Sequence, residues 1–276
     1  MKTMRFVSRD IRQGICRRWY IVILAVIFGY VRGGMSHTSL NLLLEQGIVN
    51  SKGTFLDYVM YAMYGMPVYV FDPKDFFEMP MYWFIFQMGI AYFTAYYAAS
   101  DFKQNGKVLF VVAKTRGSWW ISKCLWCILL VLLYYVSVYA GIGISAWAND
   151  AEMSLKITHE ATLSWYGQMA ADSSLVHIYM AVFILPITAT IAISLIQMFL
   201  SFIISSVVSF AGVCGMYILS AYYTTCFLPG NFTMWIRSRY MDEMGVSPKY
   251  GILILIIMFL FSIIAGWQYI KGKDVL

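Results

Sequence analysis

Apolar residues gather in five blocks along the chain, 19–31, 81–99, 119–148, 178–236 and 250–270, and charged residues return between them. A helix needs about 20 residues to cross a bilayer core. The fourth block carries no charged residue and, at about 1.5 Å per residue, would form a single helix close to 90 Å long, so it predicts two crossings. Their turn is expected around residues 197–206, where Gln197, Ser201, Ser205 and Ser206 gather. The pattern therefore predicts an all-α, polytopic membrane protein. A single transmembrane domain over 1–276 would hold six transmembrane helices at about 19–35, 81–100, 119–147, 177–197, 205–227 and 250–270. Ahead of them, at 100° per residue, Met4, Val7, Ile11 and Ile15 share one face and Arg5, Arg9, Arg12 and Gln13 the other, which predicts an amphipathic interfacial helix over 4–18.

Composition agrees with the pattern. The chain is 61% hydrophobic and 12% charged, with a mean hydropathy of +0.68, far from the roughly 25% charged residues of soluble domains. The net charge of +6 matters through its distribution, and nucleic acid is not an expected partner. Lys2, Arg5, Arg9, Arg12, Arg17, Arg18, Lys103, Lys107, Lys114, Arg116, Lys123, Lys271 and Lys273 all fall on one side if both termini are cytoplasmic. Five crossings would put Lys271 and Lys273 on the wrong side, so the same distribution favours six. The first span also has the outline of a signal peptide. No small-x-small cleavage site follows it; Arg32, Gly33 and Gly34 come instead, with Arg32 expected to snorkel to the outer interface.

Several kinds of chemistry are missing from the sequence. There is no GxxxxGK[ST] phosphate loop, no HExxH and no GxSxG, and His37, His159 and His177 all fall in outer segments, so no enzyme activity and no metal are expected in this chain. The spans carry no charged residue in their interiors, which argues against an ion-coupled carrier. Cys16, Cys124, Cys127, Cys214 and Cys226 cannot build a disulfide framework, and the CxxC pair Cys124 and Cys127 has no second pair with which to hold a metal. Pro186 is expected to bend the fourth span. Ser201, Ser205 and Ser209 recur every four residues, and Ala211 with Gly215 forms another small-xxx-small pair; these are candidates for helix packing or a subunit interface.

The segment 101–118 is unusual for carrying charge between two apolar blocks. If a helix starts near Asp101, Lys103, Lys107 and Lys114 fall on one face and Val108, Leu109 and Val112 on the other, with Gly117 and Ser118 closing the segment before Trp119 and Trp120 seat the third span at the interface. A basic loop drawn to anionic lipid is one reading, and an apolar run docking into a protein groove is the other.

The order of parts resembles the membrane subunits of ABC-2 type transporters. After a basic amphipathic lead and the second span come Asp101, Gly106, Leu109 with Phe110, Arg116, and Lys123 opening the third span; the C-terminus with Gly266, Lys271, Lys273 and Asp274 is also similar. The resemblance covers nearly the whole chain, although the large outer domain of some members is missing. It implies an ABC-2, type V exporter-like permease fold in a bacterial cell membrane. It also implies a coupling helix within 101–118 that docks on a separate ABC ATP-binding subunit holding the ATP and Mg, and a second permease, identical or different. Asp101, Lys103, Gly106, Lys107, Leu109, Phe110, Lys114, Arg116 and Lys123 are the expected coupling contacts. The expected cargo is amphipathic: an antimicrobial peptide, a drug or a lipid. The alternatives are a membrane sensor or anchor subunit that does not transport, and an ion-coupled carrier.

Overall fold

A computed structural model describes residues 2–74, 76–113, 116–167 and 174–272, with side chains described for 4–74, 76–102, 117–167 and 174–272. The described residues are helical, with two isolated β-bridges and no strand. Helix α1 (Lys2–Gly14) leads through a 3-10 turn (Cys16–Arg18) into α2 (Tyr20–Glu45), followed by the short α3 (Phe55–Ala62). Two long helices come next, α4 (Met81–Ala113) and α5 (Arg116–Ala148), then the short α6 (His159–Tyr166). Helix α7 (Leu175–Tyr179), a π turn (Met180–Ile184) and α8 (Leu185–Ile203) form one rod; α9 (Ser206–Tyr222), two 3-10 turns (Pro229–Thr233 and Trp235–Arg237) and α10 (Pro248–Gly272) complete the chain. Four helices are long and apolar enough to cross a membrane, Tyr20–Glu45, Gly117–Ala148, Leu175–Ile203 and Pro248–Gly272, and α9 is apolar but shorter. The protein is membrane-embedded and multi-pass.

Helices α2, α4, α5, the α7–α8 rod, α9 and α10 alternate in direction between two ends. Arg18, just before α2, lies over the ring of Tyr97 midway along α4, while Arg32 lies over Tyr82 at the start of α4. Phe202, near the close of α8, meets Trp119 and Trp120 early in α5 edge-on. The end with α1, the start of α5 and the close of α10 is called the basic end below, and the other the far end.

In lipid, helices gain little from hiding apolar surface from one another, so close backbone contact and polar bonds hold a bundle together. Both are present. A Cβ on Gly29 would strike the Val138 carbonyl and one on Gly141 the Val26 carbonyl, while Gly33 lies against Ser145, so the α2 and α5 backbones touch. Helices α5 and α10 interlock through tryptophan: Gly117 receives the Trp267 indole and Gly266 that of Trp120, whose Nε1 donates to the Ile263 carbonyl at 3.0 Å. Mid-bundle, Tyr217 donates to Gln87 Oε1 at 3.0 Å, the Tyr135 and Thr190 hydroxyls lie 2.9 Å apart, and Gln197 Nε2 donates to the Ala91 carbonyl at 3.0 Å.

These contacts explain where the helices depart from the sequence pattern. Helix α2 continues past residue 35 because the Arg32 charge is taken up by the Ala62 and Tyr61 carbonyls and Gly33 after it packs on α5. No helix starts at Asp101: α4 runs through it, because the carboxylate pairs with Lys123 and Arg9 and is not free to cap. Gly117 and Ser118 belong to α5, and Trp119 and Trp120 are fully buried packing residues, not interfacial ones. The turn after α8 falls at Ile204 and Ser205, inside the expected 197–206, while Gln197 is a buried bundle contact. Pro186 sits in the first turn of α8, directly after the π turn, and its carbonyl accepts from Thr190 Oγ1 at 2.8 Å.

At the far end, α3, α6 and the two late 3-10 turns fold over the bundle. Asp57 fastens them: its side chain accepts from the Thr54 amide at 2.9 Å in a capping box, and from the Thr158 amide at 3.0 Å and Thr158 hydroxyl at 2.6 Å. Arg237 is fully buried and donates to the carbonyls of Met66, Pro67, Ser220 and Ala221 and to Asn231 Oδ1. Burial pushes its guanidinium down to about 10, so it stays charged at neutral pH.

Candidate functional site

The densest chemistry lies at the basic end, where three helices meet. On α4, Tyr97 and Asp101 are four residues apart and therefore share a face; α5 supplies adjacent Ser122 and Lys123, two turns into the helix; α1 supplies Arg9 and Asp10. Lys123 Nζ donates to Asp10 Oδ1 at 2.7 Å and lies 2.6 Å from Asp101 Oδ2. Arg9 Nη2 donates to the same Asp101 oxygen at 2.7 Å and lies 3.4 Å from Asp10 Oδ1. Ser122 Oγ donates to Asp10 Oδ2 at 2.6 Å and the Tyr97 hydroxyl to Asp10 Oδ1 at 3.2 Å. The rings of Tyr97 and Trp119 flank the ammonium at 4.6 and 5.3 Å.

Two carboxylates meet two cations, so the cluster is neutral, and Asp10 and Lys123 are both 0% exposed. Removing such charges from water costs several kcal/mol per ion, of order, unless geometry and added hydrogen bonds offset it. Here each oxygen of Asp10 has a hydrogen-bond donor within reach. The arrangement is a mechanical lock: it ties α1 to α4 and α5 at one point, and Gly14 lets the end of α1 lie against Tyr97 and Trp126.

Of the residues singled out from sequence, Asp101 and Lys123 are thus brought together, buried and facing each other. The side chains of Lys103, Gly106, Lys107, Leu109, Phe110, Lys114 and Arg116 lie outside the described residues, although α4 itself continues to Ala113 and α5 begins at Arg116. Ser201 donates to the Met198 carbonyl, Ser205 caps α9 by accepting from the Val208 amide, and Ser209 donates to the Ser206 carbonyl, so all three make local bonds. Ala211 is exposed and a Cβ on Gly215 would meet nothing within 4 Å, while Ser201 and Ser209 are buried; the α2 and α5 backbones approach closely at Gly29, Gly33 and Gly141. Sequence reasoning missed Arg9, Asp10, Tyr97 and Ser122. The signal was present in Asp10, a lone acid inside a basic amphipathic helix.

The outer face of α1 turns away from this lock. Arg5, Ser8, Arg12, Gln13, Cys16 and Arg17 line an open cationic groove there, and Arg9 borders both the groove and the lock. No family model, curated protein or solved structure matches the chain.

Proposed function

We propose that the chain is the permease subunit of an ATP-driven exporter, with its six end-to-end helices as membrane spans and both termini on the cytoplasmic side of a bacterial cell membrane. ATP would be bound and hydrolysed by a separate ATP-binding subunit, and a second permease would complete the pathway for an amphipathic cargo: a peptide, a drug or a lipid. One observation carries the reading. Helices α4 and α5 are 33 residues each, about 50 Å at 1.5 Å per residue, well beyond the bilayer core, so both extend past the lock at the basic end. A push on the tip of this hairpin reaches α4, α5 and α1 together, because Asp101 and Lys123 join them at its root. That is what a coupling element must do: bias the bundle between two states by a contact made outside it.

Affinity purification from native membranes in mild detergent, with an ATPase assay and Phe110→Asp as the comparison, tests this. The expected result is a co-purifying ATP-binding subunit and ATPase activity, both lost with Phe110→Asp while the permease still extracts as a folded protein. A chain that comes alone, without ATPase activity even after cross-linking, overturns the proposal. A non-ATPase regulator on the same hairpin would instead make it a sensor subunit.

A further inference from the structure

At the far end, a cleft of about 80 Å3 opens between α2, the residues after α3 and the first turn of α4, and Phe28, Arg32, Tyr64, Met81, Tyr82 and Phe86 are among its lining. Arg32 is only 9% exposed. Its Nε donates to the Ala62 carbonyl and its Nη2 to that of Tyr61, each at 3.1 Å, while Nη1 lies 3.2 Å from Met35 Sδ. The guanidinium stands 4.5 Å from the Tyr82 ring centroid. A guanidinium carries five N–H groups, so these contacts leave one on each terminal nitrogen. Among the described residues no carboxylate pairs with Arg32: the ion pairs join Arg9, Lys52 and Lys123 to Asp10, Asp101 and Asp150.

A buried cation held only by neutral groups, beside a cleft with aromatic walls, lacks its counter-charge. The carbonyls explain why the side chain bends toward α3. They do not explain an open cleft beside two remaining donors. We propose that this cleft binds the anionic head of an amphiphile, a phosphate or a carboxylate, with the head on the two terminal nitrogens of Arg32 and the first carbons of the chain against Phe28, Met81 and Phe86. A planar guanidinium suits a two-oxygen anion, and the flanking rings suit what is attached to it. The site is far from the lock and stands whether or not the chain transports.

The test is calorimetric titration of the full chain, solubilised in dodecyl maltoside, with dodecylphosphate and with dodecanoate. Saturable binding of either is expected, weakened by about tenfold or more in Arg32→Gln, as loss of a charged hydrogen-bonding partner implies. Met81 is 55% exposed at the mouth and touches none of the Arg32 bonds, so Met81→Trp should block binding without moving the melting temperature. If Arg32→Gln does not fold because the Tyr61 and Ala62 carbonyls lose their donor, Met81→Trp decides alone. No binding of either probe, or equal affinity in wild type and Met81→Trp, overturns the proposal. Mass spectrometry of protein released from native membranes then separates two sources: phospholipid retained by the wild type and lost in Met81→Trp identifies a membrane lipid, and dodecylphosphate binding without retained phospholipid identifies a free amphiphile.

Discussion

The two ends of the bundle handle buried charge in opposite ways. At the basic end, Asp10 and Asp101 face Lys123 and Arg9, and the charges cancel. At the far end, Arg32 and Arg237 are held by carbonyl oxygens, a thioether and an amide, with no carboxylate on either among the described residues. A neutral cluster depends on every member, because removing one leaves a charge stranded. An arginine among carbonyls depends on no single partner, and its removal strands only dipoles. The basic end is therefore the brittle one and the far end the forgiving one.

The largest expected effect breaks the first half of this contrast. Lys123→Met leaves two buried carboxylates sharing Arg9 and should cost about 3–5 kcal/mol. It should appear as a large drop in melting temperature in detergent and as faster amide exchange across α1. Adding Asp10→Asn to that variant removes the stranded charge, keeps the Arg9 to Asp101 pair, and should recover much of the loss; no recovery would mean that the cluster is not a charge lock. Next in size, Arg237→Gln should cost about 1–3 kcal/mol, less than Lys123→Met, because the orphaned Ser220 and Ala221 carbonyls are polar but uncharged. If the order of these two variants is reversed, the contrast fails.

A smaller effect is expected at the α3 clasp. Asp57→Ala removes the capping box and both Thr158 bonds, for roughly 0.5–2 kcal/mol by the usual scale of a lost cap, with amide exchange rising at α3 and α6 and unchanged at α1. The smallest is a pH effect. Burial, with the nearby Asp57 carboxylate, pushes the Tyr58 hydroxyl up to about 12. Unfolded, it ionises near its ordinary pKa of about 10, so between the two values the folded chain holds the extra proton and stability falls as pH rises. Melting curves from pH 8 to 11 should decline beyond about pH 10, and less steeply in Tyr58→Phe.

The gross helical layout was legible in the sequence because apolar blocks set helix positions directly: residues 119–147 match α5 and 250–270 match α10 to within about three residues. What pattern could not show was which charges would find partners. Arg32 looks like the end of a span when only its neighbours in sequence are known, and Asp101 looks like a helix cap; both lie inside longer helices because their partners come from α3, α1 and α5. Trp119 and Trp120 mislead for the same reason. Tryptophan at a span end is usually interfacial, but here the glycines at 117 and 266 open room for the indoles of α10 and α5. The lock needed three segments far apart in the chain, which no local period encodes.

The connection between α8 and α9 is only Ile204 and Ser205, and no lysine, arginine or acid occurs from 178 to 236. During synthesis, a translocation channel that orients segments by their flanking lysines and arginines finds nothing to read here. In the proposed six-span arrangement, two helices joined so tightly would enter the bilayer as one hairpin, with no separate topological decision for either. Their orientation would then be inherited from α5 before them and α10 after them, so a charge placed at Ile204 would act on the insertion of the chain as much as on its finished packing.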